Sequence, residues 1–522
     1  MSRIEISKRL IIVNSASAAV RIVLMMSVLV WLNQYLLRRI TPEEYALLPI
    51  VMALMAFEPI ITILLTGGVG RFVTVAYARG QDNEVTSIVS TMLPILCVGS
   101  IALLGLGWTA AWHIEKILTI TPERVWDARV MLILLVFETA VRLPAAAFGA
   151  GFMIRQKLVL GDAIDVATEL LRIVLLLVLL LGVSTRVLWV VVASVSANLV
   201  NLAVTVPISR YLVPAQRFRW SAFKWPLARE ITSYNSWQLL DQVAKSVKVA
   251  MDPLILNQFA TAWDVASFHL GGIVPRQMPT LITPISRPFI PVLGAMFATG
   301  DYTRFSNTYL RTARYNSWLV LTLCIPAATF GRELMLLYAG DQYAAAGVVM
   351  AVLLVAPFVL ALNALGQAAA HAAGEMRGLA TRTLTVQVVN LGLTFLFVAY
   401  LQKGALGSAM ATALSAVGVD AVLLLPFAWR VTKTPPMAWV REVALPTILP
   451  AIASVSFCFA VKHLIGVETW LGLFAASGAS AVVYLGLVLA FGLRQQDRID
   501  LARLADRVPY PLSAVARRLG SS

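Results

Sequence analysis

The chain consists of apolar runs of about twenty residues separated by short polar connections. A helix needs about 20 apolar residues to cross a bilayer, and in lipid only helices and closed barrels satisfy every backbone hydrogen bond. The pattern therefore predicts an all-α, polytopic membrane protein with 14 transmembrane helices. The predicted spans, named S1 to S14 in chain order, cover residues 10–37, 45–66, 85–112, 128–150, 163–183, 186–207, 231–259, 263–290, 303–330, 343–369, 381–401, 405–429, 440–463 and 469–492.

The connections alternate between rich and poor in Arg and Lys, and this alternation predicts the orientation. With the N-terminus placed inside, the inner segments hold 26 of the 42 Arg and Lys residues and the outer segments hold 9. Positive residues accumulate on the cytoplasmic side of membrane proteins. Both termini are therefore predicted to be cytoplasmic, and the net charge of +15 is attributed to this bias rather than to nucleic-acid binding.

The two halves resemble each other when shifted by 220 residues, because Pro59 then aligns with Pro279 and Gly80 with Gly300. A repeat with an even number of spans keeps its orientation. The sequence thus predicts two pseudo-symmetric six-helix lobes plus two extra C-terminal helices. The predicted domains are an N-lobe at 1–209, a basic cytoplasmic linker at 210–230, a C-lobe at 231–430, S13 and S14 at 431–493, and a basic cytoplasmic tail at 494–522. The linker is expected to lie on anionic lipid.

Ionisable residues inside spans are the clearest functional candidates, because each costs about 2.5–3.5 kcal/mol at the bilayer centre unless it faces protein or water. S7 carries four of them at spacings of 4, 3 and 4 residues, which places all four on one helical face. They are Asp241, Lys245, Lys248 and Asp252. This stripe predicts a water-filled cavity. The alternative is two self-neutralising pairs, Asp241–Lys245 and Lys248–Asp252, buried against other helices.

Opposite charges also occupy matching positions in the two halves. Arg21 in S1 aligns with Asp241, and Glu58 in S2 lies opposite Arg276 in S8. One hypothesis is that both pairs form between the halves and open during function. Reversing the charge of one member of a pair should abolish function, and reversing both charges should restore it. If the double reversal does not restore function, this hypothesis fails.

For several further charged residues we predict a structural role or a location near the membrane interface. Glu138 and Arg142 in S4 are four residues apart and are predicted to form a structural pair. Asp165, Glu169 and Arg172 share one face of S5 and are expected near the membrane interface.

Two more charges, in S8 and S12, are candidate sites with open alternatives. Arg287, between Pro284 and Pro288, is a candidate for binding an anionic head group or for snorkelling. Asp420 in S12 is either an ion site or a buried, hydrogen-bonded acid.

Several motifs are missing from the sequence. It contains no GxxxxGK[ST] phosphate loop, its four histidines lack ligand spacing, and its three cysteines lie within spans. No cofactor or metal is therefore expected. The outer connections are too short to fold as domains, which argues against a membrane glycosyltransferase or polymerase.

Five segments match, in combination, the pattern of a known family. They are GGVGRFVTVAYARGQD (67–82), FGAGFMIRQK (148–157), GAMFATGD (294–301), LMLLYAGDQYAAAG (334–347) and GALGSAMATALSA (404–416). With these segments the chain resembles the multidrug/oligosaccharidyl-lipid/polysaccharide exporter superfamily, and within it the polysaccharide transporter family of O-antigen and exopolysaccharide repeat-unit flippases.

This resemblance implies two lobes around a central cavity that opens alternately inward and outward. It implies a monomeric secondary transporter, not an enzyme, in the bacterial cytoplasmic (inner) membrane. The implied cargo is a polyprenyl-pyrophosphate-linked oligosaccharide, moved from the cytoplasmic to the periplasmic leaflet, with membrane lipids, a glycan polymerase and chain-length proteins as partners. In the related lipid II flippases, cavity arginines on the first and eighth helices engage the head group, a role that the similarity extends to Arg21 and Arg276.

The predicted site therefore combines cations for the cargo with acids for a coupling ion. The cargo residues are Arg21, Lys245, Lys248, Arg276 and Arg287, and the candidate acids are Glu58, Asp241, Asp252 and Asp420. The nearest alternative is a cation-coupled multidrug or lipid exporter of the same superfamily, whose cavity should be apolar or acidic.

Overall fold

The structure is a computed structural model, and it describes residues 34, 40–66, 69–155, 157–286, 293, 296–297, 300–373, 375–465, 467–494 and 497. Helices and turns make up these residues, and no strand occurs among them. The all-α prediction is confirmed for this part of the chain. All of S1 except residue 34, and with it Arg21, lies outside the described residues, as do Arg287 and the tail beyond residue 497.

Each predicted span from S2 to S14 contains helix, and several spans are interrupted. The helices are Pro42–Met55 and Glu58–Thr66 in S2, followed by Val69–Ala78; Asp82–Trp112 in S3; Val125–Ala145 in S4; Leu158–Gly182 in S5; Leu188–Leu212 in S6; Trp225–Phe259 in S7; Ala262–Gly271 and Ile273–Ser286 in S8; Tyr302–Thr329 in S9, followed by Gly331–Ala339; Ala346–Leu353 and Val355–Ala372 in S10; Met376–Phe395 in S11; Gly404–Leu414 and Ala421–Thr432 in S12; Leu445–Ile465 in S13; and Trp470–Leu487 in S14. Short π-helical segments continue S11 and S14, interrupt S12 and precede the main helix of S13.

The chain is a multi-pass membrane protein. Within the described residues, nine helices are long and apolar enough to cross a membrane, or ten if Tyr302–Thr329 and Gly331–Ala339, which meet at a 70° bend, form one span. The S5, S7 and S8 helices are outside that set. S5 and S7 carry several charges, and S8 is broken into two short helices. The number of fourteen crossings stays a prediction.

Two compact units make up the chain, Met1–Ala266 and Ser267–Ser522. The S7 helix packs against both helices of S2 and against S3, so it belongs to the first unit. The predicted C-lobe, in contrast, starts at residue 231 and includes S7. Hydropathy places S7 after the basic linker but does not indicate which neighbours it packs against.

A repeated turn supports the internal similarity at one position in each half. Gly80 has φ 76° and donates to the Tyr77 carbonyl at 2.9 Å, and Gly300 has φ 72° and donates to the Phe297 carbonyl at 3.1 Å. In both turns the next residue donates to the carbonyl five positions back. This left-handed backbone conformation favours glycine, which explains why the two glycines align in sequence.

Candidate functional site

A chain of polar side chains links S5, S6 and S4 within the first unit. Arg172 donates from Nη1 to Glu169 Oε1 at 2.9 Å and from Nη2 to Asn198 Oδ1 at 2.9 Å. Asn198 in turn donates from Nδ2 to Glu138 Oε1 at 2.9 Å. These four residues, named the polar relay, meet because the S6 helix packs against both S4 and S5.

A second polar group lies one turn away on the same two helices. Asn201 Nδ2 donates to Thr168 Oγ1 at 2.8 Å and contacts Asp165 Oδ1 at 3.3 Å. On S5, Asp165 lies four positions before Glu169 and Thr168 four positions before Arg172, and on S6, Asn201 lies three positions after Asn198. Each helix therefore presents one continuous polar face.

The Glu169 carboxylate is only partly satisfied. Its side chain is 4% exposed, and Oε2 has no hydrogen-bond partner among the described residues. A buried polar atom without a partner costs free energy, and a buried charge costs more. A proton or a small cation at Oε2 would remove this cost, so Glu169 is the strongest candidate for an ion-binding group in the described chain.

Two adjoining cavities lie beside this polar face. One has a volume of about 190 Å³ and is lined by all four relay residues together with Arg142 and Asp165. The other has a volume of about 500 Å³ and is lined by Arg142, Asp162 and Asp165, with Phe148 and Phe152 on its apolar wall. Arg142 and Asp165 line both, so the cavities share a boundary.

Glu58 connects S2 to the same region. Arg142 Nη2 lies 3.2 Å from Glu58 Oε1, and Thr62 Oγ1 also donates to that carboxylate oxygen. The structure thus gives Arg142 and Glu138 other direct partners than each other: Arg142 binds Glu58, and Glu138 accepts from Asn198. Two residues on one helix face can reach across to neighbouring helices, which the i,i+4 spacing alone does not reveal.

The charge of this region is negative. Five carboxylates and two guanidinium groups lie on it, which leaves a formal charge of −3 when all are ionised. They are Glu58, Glu138, Asp162, Asp165, Glu169, Arg142 and Arg172. An excess of carboxylates attracts protons and cations. No group of three or more His, Cys, Asp or Glu residues that could hold a metal ion occurs in the described part of the chain.

The S7 stripe is partly described. The helix Trp225–Phe259 contains Asp241 and Lys245, whose side chains lie outside the description. Lys248 is exposed, whereas Asp252 is buried. The two residues lie four positions apart on one helix but in different environments, and their predicted roles stay predictions.

The remaining predicted residues lie at irregular points of helices. Arg276 is exposed and its Nη2 donates to the His269 carbonyl across the S8 break at Gly272. Asp420 is half-buried at the end of the π-helical segment Ser415–Asp420. Arg276 and Asp420 belong to the second unit, and their binding roles stay predictions.

Sequence reasoning did not single out Asn198 and Asn201, and it expected Asp165, Glu169 and Arg172 only near the interface. Hydropathy ranks amides as weak signals, since an uncharged Asn is tolerated in a span. The three-residue spacing of the two asparagines on S6, facing the acidic stripe of S5, is the pattern that predicts contact.

The fold and these cavities define a multi-pass helical membrane protein with a polar cluster beside two cavities in its first unit. No protein-family model matches the chain. A curated relative, the uncharacterized membrane protein EpsK of Bacillus subtilis (strain 168), is 20% identical over 477 residues, covering 89% of this chain and 91% of its own.

Solved structures with the same fold are transporters and flippases. The lipid II flippase MurJ in an inward closed conformation has a TM-score of 0.69 at 11% identity, over 92% of this chain and 98% of its own. An inward-facing multidrug resistance MATE family transporter of the MOP superfamily has a TM-score of 0.67 at 15% identity, over 80% of this chain and 98% of its own. A MOP superfamily transporter from Pyrococcus furiosus has a TM-score of 0.58 at 15% identity, over 81% and 96% of the two chains. The chain therefore has the fold of MOP superfamily transporters.

Proposed function

We propose that this protein is a flippase that moves polyprenyl-pyrophosphate-linked oligosaccharide repeat units from the cytoplasmic to the periplasmic leaflet by alternating access. The observation that carries the proposal is the likeness to a lipid II flippase over 92% of the chain, compared with 80% for the MATE transporter. The relative EpsK, similar over 89% of the chain, is also a membrane protein. The resemblance of the five sequence segments to the polysaccharide transporter family supports the same cargo class.

The chemistry of the cargo explains why charged residues are needed inside the membrane. A pyrophosphate and sugars cannot enter hydrocarbon without partners, because burying unpaired charge is prohibitive. We propose that hydrogen bonds and charge from five residues replace the water that the pyrophosphate and sugars lose. These residues are Arg21, Lys245, Lys248, Arg276 and Arg287. The polyprenyl tail stays in the bilayer during transfer.

The polar relay supplies the coupling site in this proposal. A proton or monovalent cation binds at Glu169 Oε2, where the buried carboxylate lacks a donor. Movement of one charge through a potential of 100 mV provides about 2.3 kcal/mol. The other acids proposed for coupling are Glu58, Asp241, Asp252 and Asp420.

A second candidate function is a cation-coupled multidrug or lipid exporter of the same fold. The observation that favours it is the formal charge of −3 around the first-unit cavities, since an acidic cavity attracts cationic compounds. The lysines and arginines assigned to the cargo oppose this function.

Transport by purified protein in liposomes separates the two functions. One arm measures transfer of a short-chain, fluorescently labelled polyprenyl-pyrophosphate oligosaccharide between leaflets, and the other measures uptake of a cationic dye. We expect transfer of the glycolipid, a loss of at least about tenfold in Lys248→Gln, and wild-type transfer in the control Lys116→Gln, which is exposed in a predicted outer connection. Dye uptake without glycolipid transfer would establish the second function instead.

A further inference from the structure

The basic linker between S6 and S7 is held in one conformation by the S3 helix. Thr86 Oγ1 donates to the Ala215 carbonyl at 2.9 Å. Ser90 Oγ accepts from the backbone N–H of Arg219 at 2.8 Å, and Thr91 Oγ1 accepts from that of Lys224 at 3.0 Å. All three hydroxyl side chains are buried. The linker is therefore a built element of the first unit rather than a free tether.

This conformation presents two arginines to a groove of about 520 Å³ at the end of S6. Arg210 and Arg217 line the groove with Tyr211 and Pro214. No carboxylate lies within 4.0 Å of either guanidinium group in the part of the chain that the structure describes. Arg210 also lies over the Phe148 ring, 5.3 Å from its centroid, which holds its side chain at the groove.

A buried amide completes the lining. Gln216 is 1% exposed and contacts Ser209 Oγ through Oε1 at 3.3 Å. Its Nε2 has no hydrogen-bond partner among the described residues, and Gln216 lines the same groove. Two guanidinium groups and one amide donor match the acceptor oxygens of a phosphate group.

The surroundings of the groove indicate that a phosphate group bound there belongs to a membrane lipid. Tyr211, Trp220 and Trp225 are exposed aromatic residues on or beside the linker. Trp and Tyr concentrate at membrane–water interfaces, and basic residues at the cytoplasmic surface attract anionic lipid. S6 ends at Leu212, directly at this groove.

We propose that the groove between the end of S6 and the linker binds the phosphate group of an anionic phospholipid of the cytoplasmic leaflet. Arg210 and Arg217 grip the phosphate oxygens, Gln216 donates to them, and the exposed aromatic residues lie among the neighbouring head groups. The bound lipid fixes the depth of the linker in the membrane. This site is separate from the coupling site at Glu169 and does not depend on which cargo is transported.

Native mass spectrometry of the full-length purified protein tests this site with phosphatidylglycerol, and with phosphatidylcholine as the zwitterionic comparison. We expect phosphatidylglycerol to stay bound to the wild type and its retention to fall at least about tenfold in Arg210→Gln/Arg217→Gln, because each lost hydrogen bond to a charged group weakens binding about tenfold or more. Arg210→Lys/Arg217→Lys should fall between the two, since it keeps charge but loses the planar fork.

A matched control removes two exposed positive charges elsewhere, in Lys116→Gln/Arg332→Gln, and should retain lipid like the wild type. Equal retention in the wild type and the Arg210→Gln/Arg217→Gln variant, or equal losses in that variant and the control, would overturn the proposal. A third arm uses a short-chain polyprenyl pyrophosphate. If that compound binds through Arg210 and Arg217 while phosphatidylglycerol does not, the groove is a cargo contact and the lipid site is refuted.

Discussion

Two arginines, one in each unit, bind buried carboxylates whose hydrogen bonds are satisfied to different degrees. In the first unit, Arg172 binds Glu169, whose second oxygen has no partner in the described chain and which lines a cavity. In the second unit, Arg314 Nη2 lies 2.5 Å from Asp497 Oδ1, Tyr315 donates to the same oxygen at 2.6 Å, and the Arg494 N–H donates to Oδ2 at 2.9 Å. Both oxygens of Asp497 are therefore occupied.

The difference separates a structural ion pair from a candidate ion site. Asp497 follows S14, and Arg314, on S9, also donates to the Glu442 carbonyl of S13 at 2.7 Å. The pair thus ties the ends of three spans, and no capacity for a ligand is left on its carboxylate. The carboxylate of Glu169 retains that capacity. Both carboxylates are buried and bind an arginine, so hydrogen-bond satisfaction of the carboxylate is the property that distinguishes the two places.

The largest effect on stability is expected when the satisfied pair is broken. Arg314→Leu leaves Asp497 buried without its guanidinium, and removing one member of a buried pair costs about 3–5 kcal/mol. Thermal unfolding of the purified protein in detergent measures the loss. Arg304→Gln, at an exposed position of the same helix, is the control and should unfold like the wild type. A stable Arg314→Leu protein that has lost only transport would reverse the assignment.

In the polar relay, a substitution at Glu169 should affect transport more than stability. Glu169→Gln keeps an oxygen that can accept from Arg172 but removes the charge, so the loss of stability should be smaller than in Arg314→Leu, because the Arg172 side chain is 20% exposed and that of Arg314 only 4%. Coupled transport should fall at least about tenfold. Glu123→Gln, an exposed acid in the connection before S4, should transport normally. Wild-type transport in Glu169→Gln would remove the coupling role from the relay.

An intermediate effect is expected at the bridge of the relay. Asn198→Ala leaves Arg172 Nη2 and Glu138 Oε1 without their partner, and an unsatisfied buried group costs about 1–3 kcal/mol. The change in thermal unfolding should be smaller than in Arg314→Leu. Thr205→Val, about two turns after Asn198 on S6, provides a comparison, because it removes only a hydrogen bond to the backbone of its own helix. An unchanged unfolding temperature in Asn198→Ala would mean that water replaces the amide.

The smallest effect on stability is expected at the half-exposed pair between Arg142 and Glu58. The Arg142 side chain is 50% exposed, and exposed ion pairs contribute about 0–1 kcal/mol. Arg142→Gln should therefore unfold within about 1 kcal/mol of the wild type. A loss as large as that of Arg314→Leu would show that this pair is closed to solvent in the working protein.

Hydropathy predicted the all-α class and the positions of the helices in the described residues. Apolar length locates the helices of S2 to S14, and the aligned glycines at positions 80 and 300 adopt the same left-handed turn. The association of S7 with the first unit could not be predicted, because it depends on which apolar faces are complementary. The charged residues of the relay were visible in the sequence, but their joining through Asn198 depends on how the S4, S5 and S6 helices are rotated about their axes.

In the proposed function, ion binding at the relay drives the movement of a lipid-linked glycan. Its most direct test is the rate at which labelled polyprenyl-pyrophosphate oligosaccharide crosses between leaflets of proteoliposomes, with and without an imposed proton or sodium gradient, in wild type and Glu169→Gln. We expect a gradient to accelerate transfer in the wild type and to have no effect in Glu169→Gln. Equal acceleration in both proteins, or no transfer of the glycolipid by the wild type under any gradient, would contradict it.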